Sequence, residues 1–166
     1  MFAISNLRSQ LGLDGARPTL FQVQINNPVF PAANFKVPFM VKAASLPEST
    51  TGKIEVPYMG RKINYGGDRV FQDWQTTIIN DEDFAVRNAL EAWSNAINSH
   101  NSNTRSYSVD YKTDATVTQY GKNGAAIRVV TMHGMFPISI SPIELAWAQT
   151  DEIEEFTVQF SIDSWS

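Results

Sequence analysis

At the carboxyl end of this chain Phe156, Val158, Phe160 and Ile162 alternate without a break with Glu155, Thr157, Gln159, Ser161 and Asp163. An extended backbone turns successive side chains to opposite faces, so only a strand sorts this segment into one apolar and one polar face. Wound as a helix, the same residues would scatter around the axis. A half-buried sheet is therefore built into the sequence. The same period opens the fold, where Phe21, Val23 and Ile25 stand against Gln22, Gln24 and Asn26. A third strand is predicted from about Val70 to Ile79, with Trp74, Thr76 and Ile78 on one face. Residues 109–120 and 125–133 read as the arms of a hairpin around Gly121-Lys122-Asn123-Gly124, because Asn-Gly suits a tight hairpin turn. Thr113, Ala115 and Val117 share one face of the first arm, and Ile127, Val129 and Thr131 one face of the second.

One helix interrupts the strands, predicted over about residues 81–98. Asn80 stands where an N-cap belongs, and Asp81, Glu82 and Asp83 place negative charge at the positive end of the helix dipole. Val86, Leu90, Trp93 and Ile97 then form a single apolar stripe. The polar run from His100 to Ser106 ends it. Trp74, Trp93 and Phe160 are assigned to the core, where burial of each aromatic stabilises by roughly 1.5–3 kcal/mol.

The segment from Pro47 to Asp68 is different. It gathers Ile54, Val56, Tyr58, Met59 and Ile63 among Gly52, Gly60, Gly66 and Gly67, with Pro57 demoting it from a central strand. A long hairpin-like excursion carrying such side chains at its surface suggests a partner surface; the plainer alternative is a loop folded back on its own core.

Composition narrows the function. The chain has no cysteine, which excludes structural disulfides, thiolate catalysis and cysteine-based zinc sites. Charged residues make up 18%, below the ~25% of an average domain, so much of the surface is uncharged and polar. The amino terminus from Met1 to Arg8 lacks the pattern of a signal peptide, and no stretch has the length of a membrane-spanning helix. A net charge of −4 speaks against a nucleic-acid groove. The last Lys or Arg is Arg128, and Glu144, Asp151, Glu152, Glu154, Glu155 and Asp163 all follow it, so charge is polarised along the chain. His100 and His133 have no second ligand at metal spacing, and no Gly-x-Ser-x-Gly elbow accompanies them. Three acids at a helix start are better explained by the dipole than as a carboxylate site. Gly66-Gly67 is not a phosphate loop, because no helix with Lys-Ser/Thr follows. The residues point to no enzyme and no cofactor.

Several segments in order carry a resemblance. Phe39 to Pro47 is followed by Ile54-Glu55-Val56-Pro57-Tyr58-Met59-Gly60-Arg61-Lys62-Ile63-Asn64, then by Gly67-Asp68-Arg69, Trp74 and Asn80-Asp81-Glu82. The chain closes with Leu145-x-Trp147, Glu152-Ile153 and Asp163-x-Trp165. As a set, over residues 17–166, these resemble the tail tube proteins of contractile-tailed (myovirus-type) bacteriophages. The resemblance implies a mainly β fold in one tail-tube domain over residues 1–166. It would have two packed antiparallel sheets, sandwich- or barrel-like, one flanking helix and a long protruding loop at about 47–68.

It also implies a mechanical function. Six subunits would join edge to edge around a channel, and rings would stack into a tube that conducts DNA into the host after sheath contraction. The protein's partners would be itself, the tail sheath protein, baseplate and tail terminator proteins, and, in the lumen, tape-measure protein and DNA without sequence-specific binding. It would be a virion protein, assembled in the host cytoplasm and without stable membrane anchoring. On this reading Ile54, Val56, Tyr58 and Met59 make the contact between rings. Arg61, Lys62, Asp68 and Arg69 set the register between subunits, and Glu155 and Asp163 line the lumen. A tube subunit of a related contractile injection or type VI secretion device would share fold and assembly. A β-sandwich carbohydrate-binding module is the alternative of another class, with Tyr107, Tyr111 and Tyr120 as its nearest aromatics.

Overall fold

A computed structural model describes residues 4–11 and 15–166. The alternating carboxyl-terminal segment forms strand β8 (Glu155–Ser161), with Phe156, Val158 and Phe160 buried and Glu155 and Gln159 exposed. To name the rest in chain order, strands are β1 (Phe21–Ile25), β2 (Val41–Ala44), β3 (Ser49–Tyr58), β4 (Arg61–Phe71), β5 (Trp74–Ile79), β6 (Thr113–Tyr120), β7 (Ala126–Ile140) and β9 (Ser164–Trp165). Helices are α1 (Ile4–Leu11), α2 (Val37–Met40), α3 (Ala85–Ile97) and α4 (Ser108–Tyr111), with a 3-10 turn at Pro31–Ala33.

All pairings are antiparallel along one path, β1-β6-β7-β8-β5-β2, with β9 alongside β7. Two layers share β7. Its first half, through Met135, pairs with β6, and from Phe136 its second half pairs with β8. Gly134 makes the crossing possible, since its φ is +65° and the Asp163 carboxylate fills the space a Cβ would need. Pro137, which lacks an N–H to donate, sits at the register shift in the β7–β8 ladder. One apolar cluster joins Val23, Val117 and Met132 of the first layer to Trp74, Val158 and Phe160 of the second.

Helix α3 closes this core with Val86, Leu90 and Trp93. The Trp93 indole N–H donates to the Tyr111 carbonyl at 2.8 Å, and its ring lies 6.3 Å from that of Phe160, which lies 5.7 Å from that of Trp74. All three aromatics assigned to the core are at most 1% exposed.

The two antiparallel layers and the striped helix agree with expectation; several details do not. The helix starts at Ala85, not at 81. Lys36 draws in the carboxylates of Asp81 and Asp83, and Phe84 takes a left-handed conformation (φ 52°) before the first turn. Asn80 is not its cap: its N–H and its side-chain amide both donate to Glu154, continuing the β5–β8 ladder. The strand expected over Val70–Ile79 is two, broken at Gln72-Asp73. The hairpin arm expected from 109 starts at Thr113, behind α4. Val129 and Thr131 lie opposite the core-facing Val130 and Met132 of β7, but the β6–β7 ladder slips at Ile127, which interrupts the face expected to join it to them. Of the amino-terminal segment read above, Met1, Phe2 and Ala3 lie outside the described residues.

Candidate functional site

The segment expected as a protruding loop at 47–68 is an ordered two-stranded ribbon of β3 and β4, continuing to Phe71. Met59 and Gly60 make its turn, both at positive φ (44° and 78°), the pattern of the tight hairpin turns that match strand twist. One bulge interrupts the pairing, where Gly52 stands against Gly67 and Asp68. The backbones pass so closely there that a Cβ on Gly67 would lie 3.1 Å from the Gly52 carbonyl carbon.

Directly opposed residues share a face, so the pairs Ile54↔Tyr65, Val56↔Ile63 and Tyr58↔Arg61 define one side of the ribbon. The other side carries Lys53, Glu55 and Lys62. Glu55 bridges both lysines at 2.6 and 2.9 Å, and these hydrogen bonds, Lys53's first, hold its carboxyl below the usual carboxylate range. The first side is apolar and faces solvent: Ile54 is 53% exposed, Val56 43%, Tyr58 63% and Ile63 46%. Met59 stands at the tip, 86% exposed.

Thus Ile54, Val56 and Tyr58 fall on one face with Met59 at its end, joined by Ile63 and Tyr65. The period of two that marks β3 carries on through β4 and points to that pair. The four residues expected to set register do not form one group. Arg61 lies on the apolar face and Lys62 on the charged one, near the tip, whereas Asp68 and Arg69 lie at the bulge.

Glu155 and Asp163 are both exposed, and each meets a base: Glu155 with Lys42 at 2.6 Å, Asp163 with Lys112 at 2.7 Å. Around them the outward side of β5 and β8 carries uncharged polar residues, Gln75, Thr77, Thr157, Gln159 and Ser161.

A second apolar surface is the irregular connection 141–154 between β7 and β8. Trp147 is fully exposed, Leu145 81% and Ile153 73% exposed. Having no period, it gave no strand or helix signal.

His133 lies 3.2 Å from Asp114 and 3.1 Å from the Ser166 hydroxyl. The order of groups resembles a catalytic triad, but Asp114 and His133 are substantially exposed on the sheet. Ser166 is there because its backbone pairs with Thr131 in both directions. The contact is best described as a clasp on the chain end. Tyr111 packs against Phe136, Tyr120 donates to Gln22 and Tyr107 is exposed, so among the described residues these three do not stack into one aromatic platform.

A β body bearing an ordered ribbon with a bare apolar face is the build of a subunit that works against other proteins. The profile of the phage tail tube protein family matches residues 13–166. The chain is 36% identical to tail tube protein gp19 of Enterobacteria phage T4 over 154 residues, covering 92% of this chain and 91% of that one. It is 27% identical to the tail tube protein of Serratia phage KSP90, covering 95% and 92%. The chain belongs to the phage tail tube protein family, and is a structural component of the virion tail.

The fold is similar to that of a chain in the anti-feeding prophage cap, the tube-terminating cap of that particle (TM-score 0.67, 18% identity, 93% of this chain and 91% of the other). It is similar also to one in the PVC sheath-tube complex of an extracellular contractile injection system (TM-score 0.64, 13% identity, 100% and 97%).

Proposed function

We propose that six copies of this chain, each a single tail-tube domain, join edge to edge into rings. The rings stack into a tube whose channel conducts DNA after sheath contraction. The observation that carries this is the ribbon: an ordered β3–β4 pair whose apolar face is left about half open to solvent and belongs to no buried core. Ten residues of strand reach about 33 Å, far enough to meet another ring. Ile54, Val56, Tyr58 and Met59 supply the buried contact there. Arg61, Lys62, Asp68 and Arg69, at tip and bulge, supply polar contacts that set register. β1 and β2 end the sheet path and, by pairing between subunits, would remove its open edges.

On this reading the outward side of β8 lines the channel. Its acids are neutralised locally by Lys42 and Lys112, which leaves a wall of amides and hydroxyls past which phosphates slide. Replacing Glu155 and Asp163 by lysine is expected to impede DNA passage without preventing tube assembly; unchanged infectivity would refute their place in the lumen. The role is mechanical and not enzymatic. The partners are further copies of the chain, the sheath, baseplate and terminator proteins, and tape-measure protein and DNA within. Among the described residues no helix is long and apolar enough to cross a membrane. The fold likeness to chains of the anti-feeding prophage and PVC particles supports a second reading, a tube subunit of a related injection device.

Negative-stain electron microscopy of the concentrated protein tests the assembly. Six-fold rings or hollow filaments are expected. Particles that stay monomeric even with baseplates would overturn the proposal.

A further inference from the structure

The two exposed apolar surfaces leave opposite ends of the same layer. The register Trp74↔Phe160 and the bond from the Trp74 indole to the Ser45 carbonyl place the ribbon's base at one end of β5. The register Ile79↔Glu155 and the bond from Ser141 N–H to the Thr157 carbonyl place the 141–154 connection at the other. The six residues of β5 separate them by about 20 Å.

Their charges are complementary. The ribbon holds Lys53, Arg61, Lys62 and Arg69 against Glu55 and Asp68; the connection holds Glu144, Asp151, Glu152 and Glu154 and no base. The groups left over match as well. Lys53 and Lys62 are taken by Glu55, and Glu154 by Asn80, whereas Arg61 at the tip of the ribbon, Asp68 and Arg69 at its bulge, and Glu144, Asp151 and Glu152 on the connection make no ion pair among the described residues.

Resting on the tube reading above, we infer that the connection 141–154 of one subunit is the dock for the ribbon of a second copy of this chain. The ribbon's apolar face lies on Leu145, Trp147 and Ile153, and Arg61 meets Asp151 and Glu152. Because donor and acceptor surfaces sit at opposite ends of the subunit, the contact is heterologous and does not close on itself, so it repeats from ring to ring. Trp147, an exposed aromatic with acids to either side in sequence, is suited to receive both the aliphatic face and the Arg61 guanidinium.

The absence of cysteine makes the test direct. Met59→Cys and Trp147→Cys are placed in one chain, and Met59→Cys with Tyr107→Cys in a control; all three positions are exposed. Each protein is concentrated, imaged, and treated with a short bismaleimide. A ladder of linked subunits is expected from the 59/147 pair and not from the 59/107 pair. Tubes in the images with no 59/147 ladder would overturn this docking and leave the tube standing. Tubes from the unsubstituted chain but none from the 59/147 chain would agree with a contact at those two side chains; no tubes from the unsubstituted chain would overturn both. A charge exchange gives a second readout. Asp151→Lys with Glu152→Lys should raise the concentration needed for assembly about tenfold, and adding Arg61→Glu should recover most of that. Failure of the added change to recover any would count against the Arg61 contact.

Discussion

Replacing Ile54, Val56 and Ile63 together by threonine isolates what the ribbon face contributes. Threonine keeps the β-branched shape that suits a strand, so the β3–β4 pairing is preserved. None of the three residues belongs to the buried core, and exposed substitutions of this kind usually change stability by less than about 0.5 kcal/mol each. The isolated subunit should therefore unfold within about 6 °C of the parent, followed by the fluorescence of the buried Trp74 and Trp93. Assembly should respond very differently. Each side chain has about half its surface left to bury, and each threonine brings a hydroxyl that must be stripped of water in the contact. At about 1 kcal/mol per position the loss is roughly 3 kcal/mol per ribbon, on the order of a hundredfold in the concentration at which subunits add. Light scattering across a concentration series measures that threshold. An unmoved threshold would refute the assignment of this face to assembly, and a collapse of the subunit's own unfolding midpoint would show that the face serves the monomer.

Trp93→Ala should cost the subunit about 3–5 kcal/mol in urea unfolding, since it empties a fully buried site and orphans the Tyr111 carbonyl. Gly134→Ala, which sets a Cβ against the Asp163 carboxylate at a positive φ, should destabilise by roughly 1–3 kcal/mol, read as a lower thermal midpoint. The cluster of Lys36 with Asp83 and Asp81 makes stability depend on pH in two windows. Its hydrogen bonds, that to Lys36 first, hold the Asp83 carboxyl below its ordinary value. That contribution is present above about pH 3.9 and is lost as pH falls through the lower folded value. Bonds to Asp83 and then Asp81 raise Lys36, so its contribution is present below about pH 10.4 and is lost as pH rises through the higher folded value. Lys36→Met should flatten both limbs in a pH series of unfolding curves; identical profiles would refute the cluster's role.

The parts of the fold legible in the sequence are those where one periodicity meets one buried face. Phe156, Val158 and Phe160 in β8, Val23 and Ile25 in β1, and Val86, Leu90 and Trp93 in α3 all lie where their spacing puts them. The start of α3 was misplaced because Asp81 and Asp83 answer to Lys36, more than forty residues away, which local capping rules do not see. β7 was hard to read because apolar residues occupy both of its faces. Ile127 and Val129 lie outward, Val130 and Met132 inward, and Gly134 and Pro137 look like terminators in a strand that bends and carries on. Of the surfaces, the ribbon was legible as an excursion with too many apolar residues, though its regular pairing was not. The 141–154 connection entered the reading only through the resemblance, at Leu145, Trp147, Glu152 and Ile153, and through its acids, because a surface made by exposure alone leaves no period in the chain.

The opposite placement of ribbon and connection gives any filament built from them two unlike ends. At one terminus basic, apolar ribbons would project with nothing to grip; at the other the acidic, tryptophan-bearing connections would stand empty. A protein that nucleates such a filament and a protein that stops its growth must therefore be shaped to opposite moulds. On the proposed docking neither could take the other's place, and the polarity of the filament would be fixed with its first contact.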